Sequence, residues 1–595
     1  MRVYVLALSK YLIAGDLMLF ALLSVFLLRA RIEAVRSGES DGYRAFSGVL
    51  GGVQIALIVI FMGASYGTLG AAMKLRSYFY LGGLQAAVLL GACLLFRLLF
   101  EKGDHLLFRN MCMMLAVGTV IQTRLSLYLA VRQFAIVTIC LAAALLLPFL
   151  RKALDGLREF TLLTGGLGIV LLAAVLLLGT ATNGSKLTWS FFGVTFQPSE
   201  FAKLTFLFFA AASLAEQTEN ERRKDLIIAA VGLAHVGILI LSRDLGSGAI
   251  FYAALVLMMF VARGSFAYLF TGIFAGGAGF LVCLALFRHV RVRMQAFLDP
   301  WSVIESVGYQ ITQSLFAISY GGVFGAGLRQ GAPENIPYVE SDFIFAAIAE
   351  EMGLAAAVSL IVICVISFLL ILWLALNMAD KYCQMLAYGA GVMYIFQTFL
   401  TIGGETKFIP LTGVTLPFVS YGGSSVMASI LLFTIVQIME ILQKERIEAF
   451  EERFERERRA SAGLPPEVPT PAEDDYSTDD LPIEEISFDN MPEEMPEPQM
   501  VSNGRRKPGY RRENGNPGEW RRSEYRRENE NLSEQDEWRR SEYQRKNDNL
   551  GEVDDRRRQD YRREADEPVD AESWRDPDYI DMREFGEVTF HEDDY

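Results

Sequence analysis

The chain has 595 residues, of which 52% are hydrophobic and 21% are charged, and its formal net charge at pH 7 is −14. The negative charge is concentrated in residues 451–595, which hold 24 Lys and Arg against 43 Asp and Glu, whereas residues 1–450 carry a net charge of +5. This composition excludes an ordinary soluble enzyme, and nothing in it indicates a nucleic-acid partner.

Apolar runs of about 20 residues, each long enough to cross a bilayer, recur through the first 450 residues and predict about thirteen transmembrane helices. The predicted helices are centred on residues 11–28, 46–65, 79–99, 110–125, 132–150, 160–181, 200–215, 226–241, 247–262, 266–287, 343–375, 385–403 and 425–442. The sequence therefore predicts an all-α polytopic membrane protein.

Basic residues between these helices fall on one side of the predicted topology. They are Arg29, Arg31, Arg36, Arg44, Arg151, Lys152, Arg158, Arg222, Arg223 and Lys224. Because short loops rich in Lys and Arg stay in the cytoplasm, we expect this side and the C-terminal tail to be cytoplasmic and the N-terminus to lie outside. The six cysteines lie in or beside apolar runs without CxxC spacing, which predicts buried thiols rather than a metal site or disulfides.

The tail, residues 446–595, is rich in charge and proline and is predicted to be disordered. Its segment 519–525 (Glu-Trp-Arg-Arg-Ser-Glu-Tyr) returns at 537–543, a period of 18 residues or five helical turns. The Trp and Tyr would share a helix face if the segment folds on a cytoplasmic partner, and a solvated tail without a dedicated partner is an equal alternative.

Three polar segments, 182–199, 288–342 and 404–424, fall on the predicted outer side. At the end of the first, Glu200 begins a helix and Lys203 lies one turn inside the apolar stretch. A charge at that depth is costly unless it is paired, so a structural ion pair at i, i+3 is the leading interpretation of both residues.

Asp244 follows Arg243 at a tight turn between two predicted helices. The two charges either satisfy each other, or Asp244 supports a cavity shared with the outer segments. In the second outer segment, Arg291 and Arg293 suit the headgroup level, where they would bind phospholipid or a lipid diphosphate.

Asp342 directly precedes an apolar helix and has two interpretations. It is either the N-cap of that helix, or a carboxylate held ionised by the helix N-terminus that accepts a proton from a substrate hydroxyl. Glu350 and Glu351 follow two turns later and favour a structural network with Arg or Lys. The Gly, Pro, Ser and Thr run of the last outer segment predicts an irregular re-entrant wall.

Several blocks, in this order, make the chain resemble the SEDS proteins (shape, elongation, division, sporulation), which include RodA, FtsW and SpoVE. The blocks are Phe196-Gln197-Pro198-Ser199-Glu200 with Lys203, Asp244-Leu245-Gly246, Asp299-Pro300 with Gly308-Tyr309-Gln310 and Gln313-Ser314, Asp342-Phe343-Ile344-Phe345, and residues 416–425 (Leu-Pro-Phe-Val-Ser-Tyr-Gly-Gly-Ser-Ser). The sequence departs from the family pattern at residues 337–341, where Pro-Glu-x-His-Thr is common, and at Arg243, where many members have proline.

The resemblance implies a ten-helix SEDS-like core over residues 105–445, preceded by about three additional helices within residues 1–104 and followed by the tail. It implies a bacterial plasma-membrane enzyme, a peptidoglycan glycosyltransferase acting on lipid II in cell-wall elongation, division or sporulation. A class B penicillin-binding protein, which is a transpeptidase, would be its partner. Asp342 would be the catalytic residue, and Lys186 and Trp189 would match an important first outer loop.

In the mechanism that we hypothesise, Asp342 takes the proton of an acceptor 4-hydroxyl, which attacks the anomeric carbon of the donor with inversion. Undecaprenyl diphosphate leaves, and Lys186, Arg291 and Arg293 offset its charge. The further predicted substrate-binding residues are Trp189, Glu200, Lys203, Asp244, Gln310, Gln313, Ser314 and Ser424.

A divalent cation, Mg²⁺ or Mn²⁺, could share the task of charge stabilisation, although no metal-ligand cluster is visible in the sequence. Two alternatives from other classes remain open. One is a lipid II flippase, for which a charged cavity between helices would serve as well. The other is a non-catalytic scaffold that binds cytoplasmic division or elongation proteins through the tail.

Overall fold

The computed structural model describes residues 2–37, 42–69, 73–182, 185–191, 194–216 and 221–461. The α-helices are α1 (Arg2–Ser37), α2 (Gly42–Leu69), α3 (Met73–Leu99), α4 (His105–Leu125), α5 (Leu127–Leu146), α6 (Arg151–Gly156), α7 (Thr161–Leu178), α8 (Pro198–Ala215), α9 (Glu221–Leu241), α10 (Leu245–Arg263), α11 (Phe266–Leu286), α12 (Arg288–Leu298), α13 (Tyr309–Gly321), α14 (Ile344–Leu376), α15 (Lys381–Glu405) and α16 (Gly423–Ser461). Three short strands, β1 (Thr180–Thr182), β2 (Ser185–Phe191) and β3 (Val194–Phe196), pair antiparallel in the order β1-β2-β3.

Each predicted span corresponds to one of these helices. In the described ranges, ten helical stretches are long and apolar enough to cross a membrane, and one of them, Leu127–Leu178, contains both α5 and α7. Helix α2, with the apolar stretch Val49–Ala64, and helix α8 complete the predicted set. The all-α polytopic fold is thereby confirmed, and the six cysteines are free and buried as expected. The predicted disordered tail is wrong for residues 446–461, which continue helix α16, and the tail beyond residue 461 lies outside the described residues.

The second outer segment, residues 288–342, contains two helices that the sequence analysis did not predict, α12 and α13. Helix α12 has 11 residues and is amphipathic, with Val290 buried and the basic residues Arg288 and Arg291 exposed. With 11 residues, this basic helix is too short to span a membrane. A search for apolar runs of about 20 residues therefore does not detect it. It has the character of a helix that lies along a membrane surface.

The three N-terminal helices pack against the rest of the bundle, chiefly α1 against α14 and α2 and α3 against α4. Buried polar side chains cross this interface. Ser24 Oγ donates to Asn110 Oδ1 at 3.2 Å, and Gln54 Nε2 donates to the Cys112 carbonyl at 3.0 Å. Because such polar groups have no water to bind in a bilayer, these hydrogen bonds fix how the additional helices dock on the core.

Helix α14 is interrupted at Gly353, where φ is 87° and ψ is 169°. The amides of residues 354–355 donate to the carbonyls of residues 322–323, at 2.9 Å each, rather than to the previous turn of their own helix. The carbonyls of residues 350–351 accept instead from the amides of residues 326–327, at 2.8 and 3.0 Å. Residues 322–327 therefore supply the hydrogen-bond partners that an uninterrupted α14 would supply itself.

Helices α8, α10 and α14 begin at the same end of the bundle, which we call the site end. The three predicted outer segments meet there. The Gln197 amide donates to Ser424 Oγ at 3.0 Å, and the Tyr421 amide donates to the Glu340 carbonyl at 2.7 Å. Residues far apart in sequence thus form one surface at this end.

The opposite end of the bundle is held by ion pairs between the predicted cytoplasmic segments. Arg446 on α16 pairs with Asp155, at 2.6 Å, and with Asp380, and Arg158 pairs with Asp380 at 3.3 Å. Asp155, Asp380 and Cys383 lie close enough to hold a metal ion, but arginines already neutralise both carboxylates. The cluster is therefore a structural junction of α6, α15 and α16.

Candidate active site

Asp342 lies in the turn before α14, and the structure does not use it as a helix cap. Phe343 is the N-cap residue, and it makes no side-chain hydrogen bond to the helix. The amide of Ala346 in the first turn donates instead to Glu405 Oε2, at the end of α15, at 2.8 Å. The capping interpretation of Asp342 is therefore wrong, and its carboxylate is left to face a cavity.

This cavity, of ≈ 350 Å³, lies at the site end between α12, α13, α15 and the turn before α14. Its charged and polar lining residues are Asp342, Arg293, Lys407, Gln310 and Tyr338, and Gly404 and Gly413 also line it. Arg293 Nη1 donates to the Thr412 carbonyl at 2.8 Å, which fixes the guanidinium at the cavity wall.

Gly413 lies between the two opposite charges of the cavity. A Cβ built on it would be 3.5 Å from Arg293 Nη2 and 3.7 Å from Asp342 Oδ2, and its φ of +72° belongs to the left-handed region that favours glycine. The missing side chain leaves the space between carboxylate and guanidinium open. Among the residues that the structure describes, no Lys or Arg forms a salt bridge with the Asp342 carboxylate.

The protonation of Asp342 is set mainly by burial. Burial raises the pKa of the Asp342 carboxyl, while a hydrogen bond from Ser341 and the positive charge of Arg293 act in the opposite direction. Burial therefore acts against the ionisation of this carboxylate that the sequence analysis expected from the helix N-terminus. A raised pKa makes the ionised carboxylate a better proton acceptor, because the base becomes stronger.

The pKa of Arg293 is affected by a second carboxylate, that of Asp244. Burial lowers the pKa of Arg293, and the charges of Asp342 and Asp244 both raise it. Asp244 itself caps α10, accepting from the Ser247 amide at 3.0 Å, and accepts from Ser199 Oγ at 3.4 Å. The interpretation of Asp244 as a supporting group beside a shared cavity agrees with this placement.

The predicted ion pair of α8 is confirmed. Lys203 Nζ lies 2.6 Å from Glu200 Oε2, both side chains are buried, and Lys203 also donates to Gln397 Oε1 at 2.9 Å. Gln397 in turn donates to the Thr415 carbonyl at 2.9 Å. This buried network ties the start of α8 to α15 and to the irregular segment before α16, and none of its members lines the cavity.

The last outer segment, predicted over residues 404–424 to be irregular, is irregular over residues 406–422. It packs closely on α4, where a Cβ on Gly118 would lie 2.8 Å from the Phe418 carbonyl oxygen. Gln122 Nε2 donates to the Val419 carbonyl at 2.8 Å, and Gln133 Nε2 to the Ser420 carbonyl at 3.2 Å. Polar side chains of α4 and α5 thus satisfy backbone groups that a regular helix would satisfy internally.

The other predicted site residues occupy different surroundings. Gln310 lines the cavity, whereas Arg291 is exposed on α12 and Ser314 Oγ is bound to the Glu405 carbonyl at 2.9 Å. Gln313 on α13 is partly buried and is not a lining residue of the cavity. Trp189 on β2 stacks on Phe196, with ring centroids 6.3 Å apart. The side chain of Lys186 lies outside the described residues.

Sequence reasoning missed Lys407 and Glu405. Lys407 lines the cavity with a positive φ of 57°, and Glu405 is fully buried against the start of α14. A signal was present, because both charges follow directly after an apolar span in the run Gly-Gly-Glu-Thr-Lys of residues 403–407. Charges at such a depth are expensive unless they have a partner or a function.

A second concavity, of ≈ 660 Å³, adjoins the first and is mainly apolar. It runs between α9, α10, α11 and α15, with Val236, Phe280 and Phe399 among its lining residues. The two concavities share Arg293, Ile409 and Leu411. A charged cavity therefore leads into an apolar groove between membrane helices.

These features define the class: a polytopic membrane protein with a charged cavity at one end of its bundle and an apolar groove beside it. The family model described as cell cycle protein, which covers FtsW, RodA and SpoVE, matches residues 97–446. The chain belongs to this family, and the predicted SEDS membership is confirmed.

Similar proteins carry related names. The peptidoglycan glycosyltransferase RodA of Mycobacterium tuberculosis (strain ATCC 25618 / H37Rv) is 34% identical over 312 residues, which are 50% of this chain and 66% of that protein. The stage V sporulation protein E of Bacillus subtilis (strain 168) is 35% identical over 280 residues, 45% of this chain and 74% of that protein.

A solved chain from a peptidoglycan synthase complex, studied for its coordination of polymerization and crosslinking, has a TM-score of 0.50 and 27% identity. The match covers 57% of this chain and 98% of that chain.

Proposed function

We propose that this protein polymerises lipid II into glycan strands by inverting glycosyl transfer, with Asp342 as the general base. The observation that supports this most directly is the cavity, in which Asp342 faces the cations Arg293 and Lys407 beside an apolar groove. A sugar diphosphate on a polyprenyl chain requires these three surroundings: a proton acceptor, cations for the diphosphate and an apolar channel for the chain.

In the proposed reaction, Asp342 takes the proton of the acceptor 4-hydroxyl as its oxygen forms a bond to the anomeric carbon of the donor. The bond between that carbon and the diphosphate oxygen breaks, and undecaprenyl diphosphate leaves with the bonding electrons. Arg293 and Lys407 offset the charge that develops on the leaving group. Lys407 takes a role that the sequence had assigned to Lys186 and Arg291.

A divalent cation, Mg²⁺ or Mn²⁺, is a poorer fit to this cavity than to a site with several carboxylates. Asp342 is the single carboxylate among the described residues that line it, and Arg293 and Lys407 already supply positive charge. Since Mg²⁺ usually binds one or two carboxylates together with phosphate oxygens, no step of the proposed reaction is assigned to a metal.

The proposal places the site end at the outer face of the plasma membrane, because the basic residues of the positive-inside pattern lie at the opposite end. It includes a class B penicillin-binding protein as the crosslinking partner. The relative solved within a peptidoglycan synthase complex supports a partner of this kind.

A lipid II flippase is the principal competitor. Purified protein with lipid II in detergent separates the two functions, because an enzyme makes glycan polymer without a membrane to cross. Polymer in detergent supports the glycosyltransferase. Translocation of lipid II in liposomes, with no polymer in either preparation, would overturn the proposal.

Asp342→Asn tests the assigned base. We expect the variant to lose about 10²-fold or more of its polymerisation rate, because an amide does not accept the proton. Its unfolding temperature should stay close to that of the natural protein, since Asp342 does not cap α14. Glu340→Gln, which changes a neighbouring acid that does not line the cavity, is the matched control and should retain activity. Normal polymer synthesis by Asp342→Asn would refute the assignment.

A further inference from the structure

The N-terminal helices contact the segment that precedes the Asp342 turn. Arg329 Nη2 donates to the hydroxyl oxygen of Tyr78, on α3, at 2.8 Å. The guanidinium carbon also lies 5.0 Å from the centre of the Tyr78 ring, and Tyr78 is buried. A hydrogen bond and a cation–π contact thus join the two side chains.

Helix α1 makes a second contact with the same segment. Lys10 Nζ donates to the Gly325 carbonyl at 3.4 Å, and the rings of Tyr11 and Phe324 lie 5.1 Å apart. Two of the three additional helices therefore hold residues 322–332, at positions 324–325 and 329.

Arg329 adopts a backbone conformation that needs support. Its φ is 62°, in the left-handed region that residues other than glycine rarely adopt. Such a conformation persists where surrounding contacts hold it. The contact with Tyr78 is one of these, and it comes from outside the SEDS core.

Residues 322–332 in turn position the outer part of α14. Their backbone replaces the helix's own hydrogen bonds at the Gly353 break, as described above. They also meet core Arg124, whose Nη2 lies 2.7 Å from Glu351 and 3.2 Å from Glu334 and donates to the Gly331 carbonyl at 3.3 Å. This confirms the expected structural network around Glu351. The segment thus connects α3 to the helix that follows Asp342.

We propose that α1–α3 form an internal brace that holds residues 322–332, and through them residues 344–352 of α14, in the orientation that directs Asp342 into its cavity. Arg329 and Tyr78 are positioning residues of this brace. The proposal rests on the proposed function, and it assigns a role to the additional helices that the SEDS core does not explain.

Tyr78→Phe in the full-length protein tests the brace, because it removes the hydroxyl and keeps the ring. Tyr80→Phe is the matched control. Tyr80 lies on the same helix, is 64% exposed, and accepts a hydrogen bond from Arg76 of its own helix at 3.1 Å. Both variants lose one arginine–tyrosine hydrogen bond, but only Tyr78 reaches the segment before α14.

We expect hydrogen–deuterium exchange at residues 322–332 to become about tenfold faster in Tyr78→Phe and to stay unchanged in Tyr80→Phe. With lipid II, kcat should fall about tenfold in Tyr78→Phe while KM stays within about twofold, because misplacing the base affects the chemical step. Arg329→Ala should lose activity, and Arg329→Lys should lose less of it because lysine retains the positive charge.

Unchanged exchange in Tyr78→Phe would overturn the brace, and so would equal effects in the two tyrosine variants. If the natural protein forms no polymer, the proposed function fails. The exchange comparison would still decide whether the N-terminal helices hold the segment, so the two failures can be told apart.

Discussion

The pKa of Asp342 depends on its burial and on the neighbouring charge of Arg293. Burial by the surrounding protein favours the neutral form of the Asp342 carboxyl, while the Arg293 charge favours its ionised form. Burial dominates, and the pKa of Asp342 is raised. Activity that requires ionised Asp342 should therefore fall, as pH decreases, at a higher pH than an ordinary aspartate would dictate.

Arg293→Gln tests this balance. Removing the positive charge should raise the pKa of Asp342 further, so less of the carboxylate is ionised at a given acidic pH. The acid limb of the pH profile of kcat/KM should move to higher pH, and activity at neutral pH should also fall because the diphosphate loses a partner. Steady-state polymerisation of lipid II over a range of pH measures both effects.

Arg291→Gln is the control, because it removes an arginine of the same helix that is exposed and does not line the cavity. Its acid limb should coincide with that of the natural protein. An Arg293→Gln profile with an unshifted acid limb would contradict the electrostatic coupling. An equal shift in Arg291→Gln would show that the effect belongs to the charge of the whole helix.

The residues that sequence could identify are those whose partners are near in sequence. The pairing of Glu200 with Lys203 follows from their i, i+3 spacing and from the cost of an unpaired charge in an apolar helix. The cap of α14 comes from Glu405, 59 residues after Ala346, and no local pattern indicates that partner. For the same reason capping remained one of the two interpretations of Asp342 in the sequence, although Glu405 fills that role in the structure.

At the scale of elements, α14 depends on other segments at two places. Its first turn is completed by Glu405 of α15, and its break at Gly353 is completed by residues 322–327. A helix of 33 residues that looks uniform in hydropathy therefore has an outer part whose position is set by its neighbours. That outer part begins directly after Asp342, which is why these supports bear on the site.

Glu405→Ala should destabilise the protein by about 1–3 kcal/mol, because it leaves a buried amide of α14 without an acceptor. Glu405→Gln retains a carbonyl oxygen for the Ala346 amide and should cost much less. Thermal unfolding of both variants in detergent measures the difference. Equal losses of stability would indicate that the charge of Glu405, rather than its acceptor oxygen, holds the helix.

For the molecule as a whole, the number of long apolar helices could be predicted from apolar run length, because each span must cover the same bilayer thickness. The docking of α1–α3 could not be predicted, since lipid and protein present equally apolar surfaces to a membrane helix. Polar contacts decide it instead. Helix α1 touches the core at both ends, through Lys10 at the site end and through Arg31 at the opposite end.

Arg31 contacts residues within the family match, residues 97–446. It pairs with Asp104, lies 3.7 Å from Glu440, and stacks over the Trp373 ring at 4.6 Å. The side chains of Arg31, Asp104 and Glu440 are 9%, 0% and 9% exposed, so removing the arginine leaves two acidic groups buried without this cation. We expect Arg31→Ala to destabilise the protein by about 3–5 kcal/mol.

Arg29→Ala provides the comparison for this prediction. Arg29 pairs with Glu33 at 2.9 Å on the same helix, but the two side chains are 80% and 62% exposed, and such a pair contributes about 0–1 kcal/mol. Unfolding in detergent should therefore separate the two variants by several kcal/mol, although each removes one arginine of the same helix. Similar stabilities would mean that α1 is held by apolar packing and not by this junction. The N-terminal helices would then be free to shift at that end without loss of the core.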